Sequence, residues 1–150
     1  MIRKATLDDT ERLIDLLGQL FAIEEDFVAD PSRQLQGISM LMESTMGVVF
    51  VAETNGRVVG MVVGQLMVST AEGGYSLMVE DLVVDKAYRR RGYGGMLLQA
   101  VGRWAEDKGA DRMQLLADQY NDSALEYYVK QGWRHTRMIC LRTFNSGSRP

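Results

Sequence analysis

Apolar positions change their period several times along this chain, and the changes set the expected order of elements. Ile2 to Ala5 reads as a short strand. Leu13, Ile14, Leu17, Leu20 and Phe21 then recur at helical spacing, which places them on one buried face. Asp8 with Glu11 makes a capping-box-like start to that helix. It runs to the acidic stretch Glu24-Glu25-Asp26, and Asp30-Pro31 breaks the chain before a second helix through Leu35, Ile38, Leu41 and Met42.

The period then shortens. Val48 to Glu53 and Val58 to Val68 are rich in Val and Met, and Asn55-Gly56 between them is a strong hairpin signal because both residues tolerate positive φ. Gly73-Gly74 marks another turn before a long strand from Tyr75 to Val84. Beyond a basic, glycine-rich stretch, Leu97, Leu98, Val101, Trp104 and Ala105 restore helical spacing as far as Gly109. Met113 to Ala117 predicts a short strand, Asn121 to Gln131 a helix and Arg137 to Thr143 a last strand. The class is α+β with a mixed sheet, antiparallel strands first and two strand-helix units after them.

Composition narrows the function classes. A chain of 150 residues, 46% hydrophobic and 25% charged, suits one globular domain over 1–144 with a polar tail at 145–150. A net charge of -3 argues against nonspecific nucleic-acid binding, and no apolar run approaches the length of a membrane span. The one cysteine, Cys140, cannot close an internal disulfide, and no metal-type Cys/His cluster surrounds it. A reducing, cytoplasmic setting and no metal are the expectations. The ten methionines suit adaptable core filling.

The candidate chemistry begins at Arg89-Arg90-Arg91-Gly92-Tyr93-Gly94-Gly95, set between a strand and a helix. Glycines there let backbone N–H groups turn inward at a helix N-terminus, whose first amides lack intrahelical partners and whose dipole favours an anion. The arginines add charge and a bidentate fork for phosphate. A dinucleotide-binding reading needs a third glycine where Leu97 stands, and a P-loop needs a Gly-Lys-Ser/Thr ending that is absent. A flexible turn capped by solvated arginines accounts for the loop taken alone.

Arg89-x-x-Gly92-x-Gly94 resembles the defining motif of the GNAT superfamily of acetyl-CoA-dependent N-acetyltransferases, Arg/Gln-x-x-Gly-x-Gly/Ala. A second family motif is similar too, through Asn121, Ala124, Tyr128, Gly132 and Trp133. The resemblance implies the GNAT fold, a mostly antiparallel sheet of about six or seven strands with about four helices. It also implies acetyl-CoA as acyl donor, held by Arg89, Arg90, Arg91, Gly92, Tyr93, Gly94, Gly95 and Asn121. Leu82, Val83 and Val84 would pair their backbone with the pantetheine arm. Homodimers are common in the family, so a homodimer is a possible assembly.

Attack of an amine on a thioester needs an uncharged nucleophile and a proton for the departing thiolate. The resemblance makes Tyr128 the proton donor, set against the reading of a packed helix tyrosine. Glu80, on the strand just before Leu82, is the candidate base, with a water chain as the alternative; Asp81 should point to the opposite face. Glu-Asp-x-x-Val here looks like the diamine and small-amine acetyltransferases, and Glu24, Glu25, Asp26 and Asp30 could rim a site for a cationic amine. The acceptor stays open between a small cationic amine and a protein lysine or N-terminus. An inactive acyl-CoA-binding regulatory domain and a module for another pyrophosphate are the competing functions. His135, the only histidine, carries no role in any of them.

Overall fold

In a computed structural model the described residues are 1–23 and 28–145. The chain divides into two compact units, Met1–Leu115 and Leu116–Pro150. The first contains β1 (Ile2–Lys4), α1 (Thr10–Phe21), α2 (Pro31–Glu43), β2 (Gly47–Thr54), β3 (Arg57–Ser69), β4 (Gly74–Val84), α3 (Tyr93–Asp107) and β5 (Met113–Leu115). The second contains α4 (Asp122–Lys130).

The five strands form one sheet in the order β1-β2-β3-β4-β5, antiparallel except for the parallel pair β4 and β5. Asn55 and Gly56 turn β2 into β3 with both residues at positive φ, 50° and 71°, as a two-residue hairpin of that twist requires. Alternation along β3 then divides the packing. Met61 and Val63 join Leu13, Leu16, Leu17 and Ile38 in the core under α1 and α2. Gly60 and Gly64 face the other way, toward α3. A Cβ on Gly64 would lie 2.6 Å from Val101 Cγ2, so only a glycine allows the helix this close to the sheet.

Two expectations change. The first helix is capped earlier than Asp8 and Glu11: the Thr6 N–H and hydroxyl both donate to the Asp9 carboxylate, 2.8 and 3.2 Å away, and a 3-10 turn at Leu7–Asp9 leads into α1. Asp9 is suited to this because Arg3 grips the same carboxylate with two N–H groups at 2.7 and 2.9 Å while its Nε reaches Glu53.

The sheet also falls short of six or seven strands, with five among the described residues. Residues 137–143 form no strand, and Met138, Ile139 and Leu141 are exposed. Their apolar composition favours a strand only where a neighbouring edge takes the backbone N–H and C=O groups, and no ladder forms along them. The mixed α+β class and the four α-helices among the described residues are as expected. Residues 146–150 of the expected polar tail lie outside the described residues.

Candidate active site

The strand-to-helix junction at Asp85–Gly95 is built by short-range bonds. Asp85 ends β4 by donating its N–H to Val59 O, and its carboxylate accepts from Ala87 N at 3.0 Å, which starts a 3-10 turn over Lys86–Tyr88. Arg89 folds back to give its Nε to Val84 O at 2.9 Å. Arg91 lies over the Tyr88 ring at 5.2 Å, within cation–π range. Arg90 is held at φ 62° and Gly92 at φ 84°. Left-handed residues in a turn are the kind of backbone from which anion-holding nests are built.

Gly92 is the N-cap of α3, and no side chain caps that helix. The first intrahelical bond runs from Met96 N to Gly92 O. The amides of Tyr93, Gly94 and Gly95 therefore precede the helical ladder and face the positive end of the dipole. Nothing would meet a Cβ on Gly92 within 4 Å, so the space beside it is open. Exposed arginines, an uncapped helix start and open space at the glycine together fit a pyrophosphate.

Upstream, β4 offers an edge. Its parallel pairing with β5 covers Leu77, Val79 and the residue between them. From Glu80 to Val84 no strand pairs with β4 on that side among the described residues. The backbone of Leu82, Val83 and Val84 thus lies along an open edge, where an extended amide-bearing chain could pair.

Glu80 is exposed, and Gln65 on β3 donates to its carboxylate at 3.4 Å. The next residue departs from simple alternation. Val63 pairs with Glu80 and Met61 with Val83, so Asp81 and Leu82 stand opposite the single residue Val62. The extra residue is a β-bulge, and Asp81 adopts φ 50° within it. The expected clean division of Glu80 and Asp81 between two faces is interrupted there; Asp81 is half-buried.

Sequence reasoning missed a polar cluster behind the junction. Arg12 on α1 donates its Nη2 to the Asp85 carboxylate, its Nε to Val58 O at 2.8 Å and its Nη1 to Asp15 at 3.1 Å. Gln19, two turns along the same helix, accepts from Lys86 N at 3.3 Å. The Ala87 N–H, with Arg12 and Gln19 adding to it, outweighs burial and holds the Asp85 carboxyl below its ordinary range. An aspartate directly after a strand and before a turn is a capping signal that could have drawn attention to Asp85.

The second unit explains its own motif. Asn121 caps α4, its side-chain oxygen accepting from Ala124 N at 3.2 Å. The Tyr128 ring stands edge-on to Trp133 at 5.9 Å and to Tyr127 at 5.5 Å, and Trp133 N donates to Tyr128 O. Gly132, at φ 92°, makes the turn that brings Trp133 back. Asn121, Ala124, Tyr128, Gly132 and Trp133 are therefore one local construction. Burial raises the Tyr127 hydroxyl above its ordinary pKa.

Of the expected acidic rim, Glu24, Glu25 and Asp26 lie outside the described residues. Asp30 caps α2, accepting from the Ser32 hydroxyl and from the N–H groups of Ser32 and Arg33. The hydroxyl bond leads in keeping its carboxyl below the ordinary range. No cluster suited to a metal ion occurs among the described residues, and no described helix is long and apolar enough to cross a membrane.

Comparison with known proteins brings in one family. The model of the acetyltransferase (GNAT) family matches residues 11–133. The chain is similar to an L-ornithine N5-acetyltransferase of Arabidopsis thaliana, 32% identical over 40% of this chain and 29% of the plant protein. It is also similar to an uncharacterized N-acetyltransferase of Methanocaldococcus jannaschii, 24% identical over 92% of this chain and 62% of that one. The chain thus spans less than two thirds of either relative. Among solved structures, an aminoglycoside N-acetyltransferase, AAC(6')-Iy in complex with CoA, superposes with a TM-score of 0.84, at 19% identity over 97% of this chain and 94% of the other. At that identity the likeness is one of fold.

Proposed function

Because the chain belongs to the acetyltransferase (GNAT) family, we propose that it is an N-acetyltransferase that moves an acetyl group from acetyl-CoA to a primary amine by direct attack in a ternary complex. The observation that carries this reading is the uncapped start of α3, with Arg90 and Gly92 left-handed beside it, directly downstream of the open β4 edge. Pyrophosphate suits the first feature and an extended pantetheine arm the second.

The cofactor-holding residues in this proposal are Leu82, Val83 and Val84 by their backbone, Arg89 to Gly95 by amides and guanidinium groups, and Asn121 from the second motif. Bound acetyl-CoA supplies a thioester carbonyl activated toward an uncharged amine. Glu80 is the proposed proton acceptor, directly or through water, because it is exposed and oriented by Gln65. It would take a proton from the arriving ammonium group, leaving the nitrogen lone pair free for attack. Tyr128 is the proposed proton donor to the departing sulfur, its phenol being a donor at neutral pH.

A small cationic amine is the acceptor class we favour. L-ornithine and aminoglycosides, named for similar proteins, each carry more than one ammonium group at neutral pH. Release of free CoA thiol should be followed against polyamines, amino acids, aminoglycosides and lysine peptides. Turnover confined to cationic small amines supports the assignment, and turnover of peptides alone moves it to a protein acceptor. A chain that binds acetyl-CoA and turns over nothing on the panel is a regulatory acyl-CoA-binding domain.

A further inference from the structure

Arg12 donates through all three of its guanidinium nitrogens, to three different places in the fold. It leaves α1 to reach the β3 backbone at Val58, its own helix at Asp15 and the junction residue Asp85. Arg12, Asp15 and Gln19 follow helical spacing, so one stripe of α1 faces the strand-to-loop junction. Gln19 adds a second tie, to the Lys86 amide. Asp85 is buried, and one carboxylate both receives Arg12 and caps the turn that delivers Arg89. Arg57, at 3.9 Å, is the other cation near it among the described residues, and it stands mostly in solvent.

A loop that binds an anion through backbone amides works only if those amides are held in place beforehand, since ordering them on binding subtracts from affinity. Beyond Gly92 that rigidity comes from α3, packed against β3 at Gly60 and Gly64. Before Arg89 the chain has one short turn, and among the described residues the side-chain ties from another element to Asp85 and Lys86 are Arg12, Gln19 and the more distant Arg57. We propose that Arg12, seconded by Gln19, is a positioning residue for the pyrophosphate loop: by holding Asp85 it presets the junction, so its loss weakens CoA binding while the chemical step keeps its rate. The proposal rests on the acetyl-CoA reading given above.

The test is calorimetric titration of CoA into the full chain, paired with steady-state kinetics. Arg12→Met should raise the Kd for CoA, and the KM for acetyl-CoA, about tenfold or more with kcat within about threefold. Arg12→Lys, which keeps charge without the fork, should recover part of the loss. Gln19→Ala, a milder change at a half-buried position, should raise Kd about two- to fivefold and serves if Arg12→Met does not fold.

The control is Arg3→Gln, which breaks an equally intimate arginine-aspartate pair at β1, away from the loop. It should lower the melting temperature while leaving Kd unchanged. Equal Kd shifts for Arg12→Met and Arg3→Gln would make the effect general destabilisation and overturn the proposal. So would unchanged Kd values in Arg12→Met and Gln19→Ala, or a loss falling on kcat alone. Failure of the parent protein to bind CoA would instead defeat the cofactor reading itself, and the positioning role with it.

Discussion

β4 ends at Val84 held from several directions, whereas four residues earlier, at Glu80 and Asp81, the same strand carries a bulge and an exposed carboxylate. At its end, Asp85 is tied to Val59, Ala87 and Arg12, and Arg89 returns to Val84. At the bulge, Glu80 receives one long bond from Gln65. The difference matches what the proposed role of each part requires. A pyrophosphate site made of amides gains from rigidity, because dipoles already aimed need no reorganisation. A group that exchanges protons with an incoming amine needs access. Under the proposed function, one strand thus presents a fixed binding half and an open acceptor half.

The largest expected effect comes from exchanging charge in the fixed half. Arg90→Glu with Gly92→Asp should weaken CoA binding about a hundredfold or more, since the Arg90 charge is lost and the new carboxylates repel phosphate. Glu80→Gln should leave that affinity within about twofold, as it touches no part of the loop. Calorimetry on both variants checks the division, which fails if Glu80→Gln weakens CoA binding as severely as the loop change.

Next in size is turnover. With a true acceptor, Glu80→Gln should lower kcat by about 10²-fold at neutral pH, within the range of a lost general base, and leave the KM for acetyl-CoA alone. Retention of full turnover would hand proton removal to a water chain. Tyr128→Phe tests the donor in the same assay, with a fall in kcat expected.

Smaller effects bear on the support of the fixed half. Gly64→Ala should destabilise the protein by about 1–3 kcal/mol, because the new methyl group meets Val101 at 2.6 Å. Val101→Ala in the same chain should restore part of the loss. Thermal melting reads both, and an unperturbed Gly64→Ala would show that α3 is free to retreat from the sheet.

The smallest concerns acid. The Asp85 carboxyl is held low chiefly by the Ala87 amide, and that of Asp9 chiefly by Arg3, so both bind protons less readily folded than unfolded. Their contribution is complete above the unfolded carboxylate pKa, near about 4, and is lost as pH falls below it. Urea unfolding should show stability declining below that pH, with Asp85→Asn shallower in its decline. A pH-independent midpoint down to strongly acid conditions would contradict the two pairs.

Much of the first unit was legible because backbone needs print themselves in residue types. Asn55-Gly56, Gly92 and the helical spacing of Leu97, Leu98 and Val101 each have few structural solutions, and each formed as expected. Glu80 was legible as a candidate, but the bulge beside it was not. A non-glycine residue at positive φ inside a strand leaves no local trace, and its cause lies in the register against β3. Arg12 and Gln19 escaped notice for a related reason, as their partners are 73 and 67 positions away. The last strand failed where local composition was all there was, because Arg137 to Thr143 reads as β while no ladder forms along it. The second motif, read as chemistry, is also a helix cap, a glycine turn and an aromatic contact.

The most direct measurement is a thermal-shift comparison of the full chain with acetyl-CoA, CoA, NAD and ATP at matched concentrations. A ligand that binds the folded state at about a hundred times its Kd adds about 2.7 kcal/mol, a shift of several degrees. The expected result is a clear rise in melting temperature with acetyl-CoA and CoA, abolished by Arg90→Glu with Gly92→Asp. Stabilisation by NAD or ATP with none from either coenzyme A species would contradict the cofactor assignment.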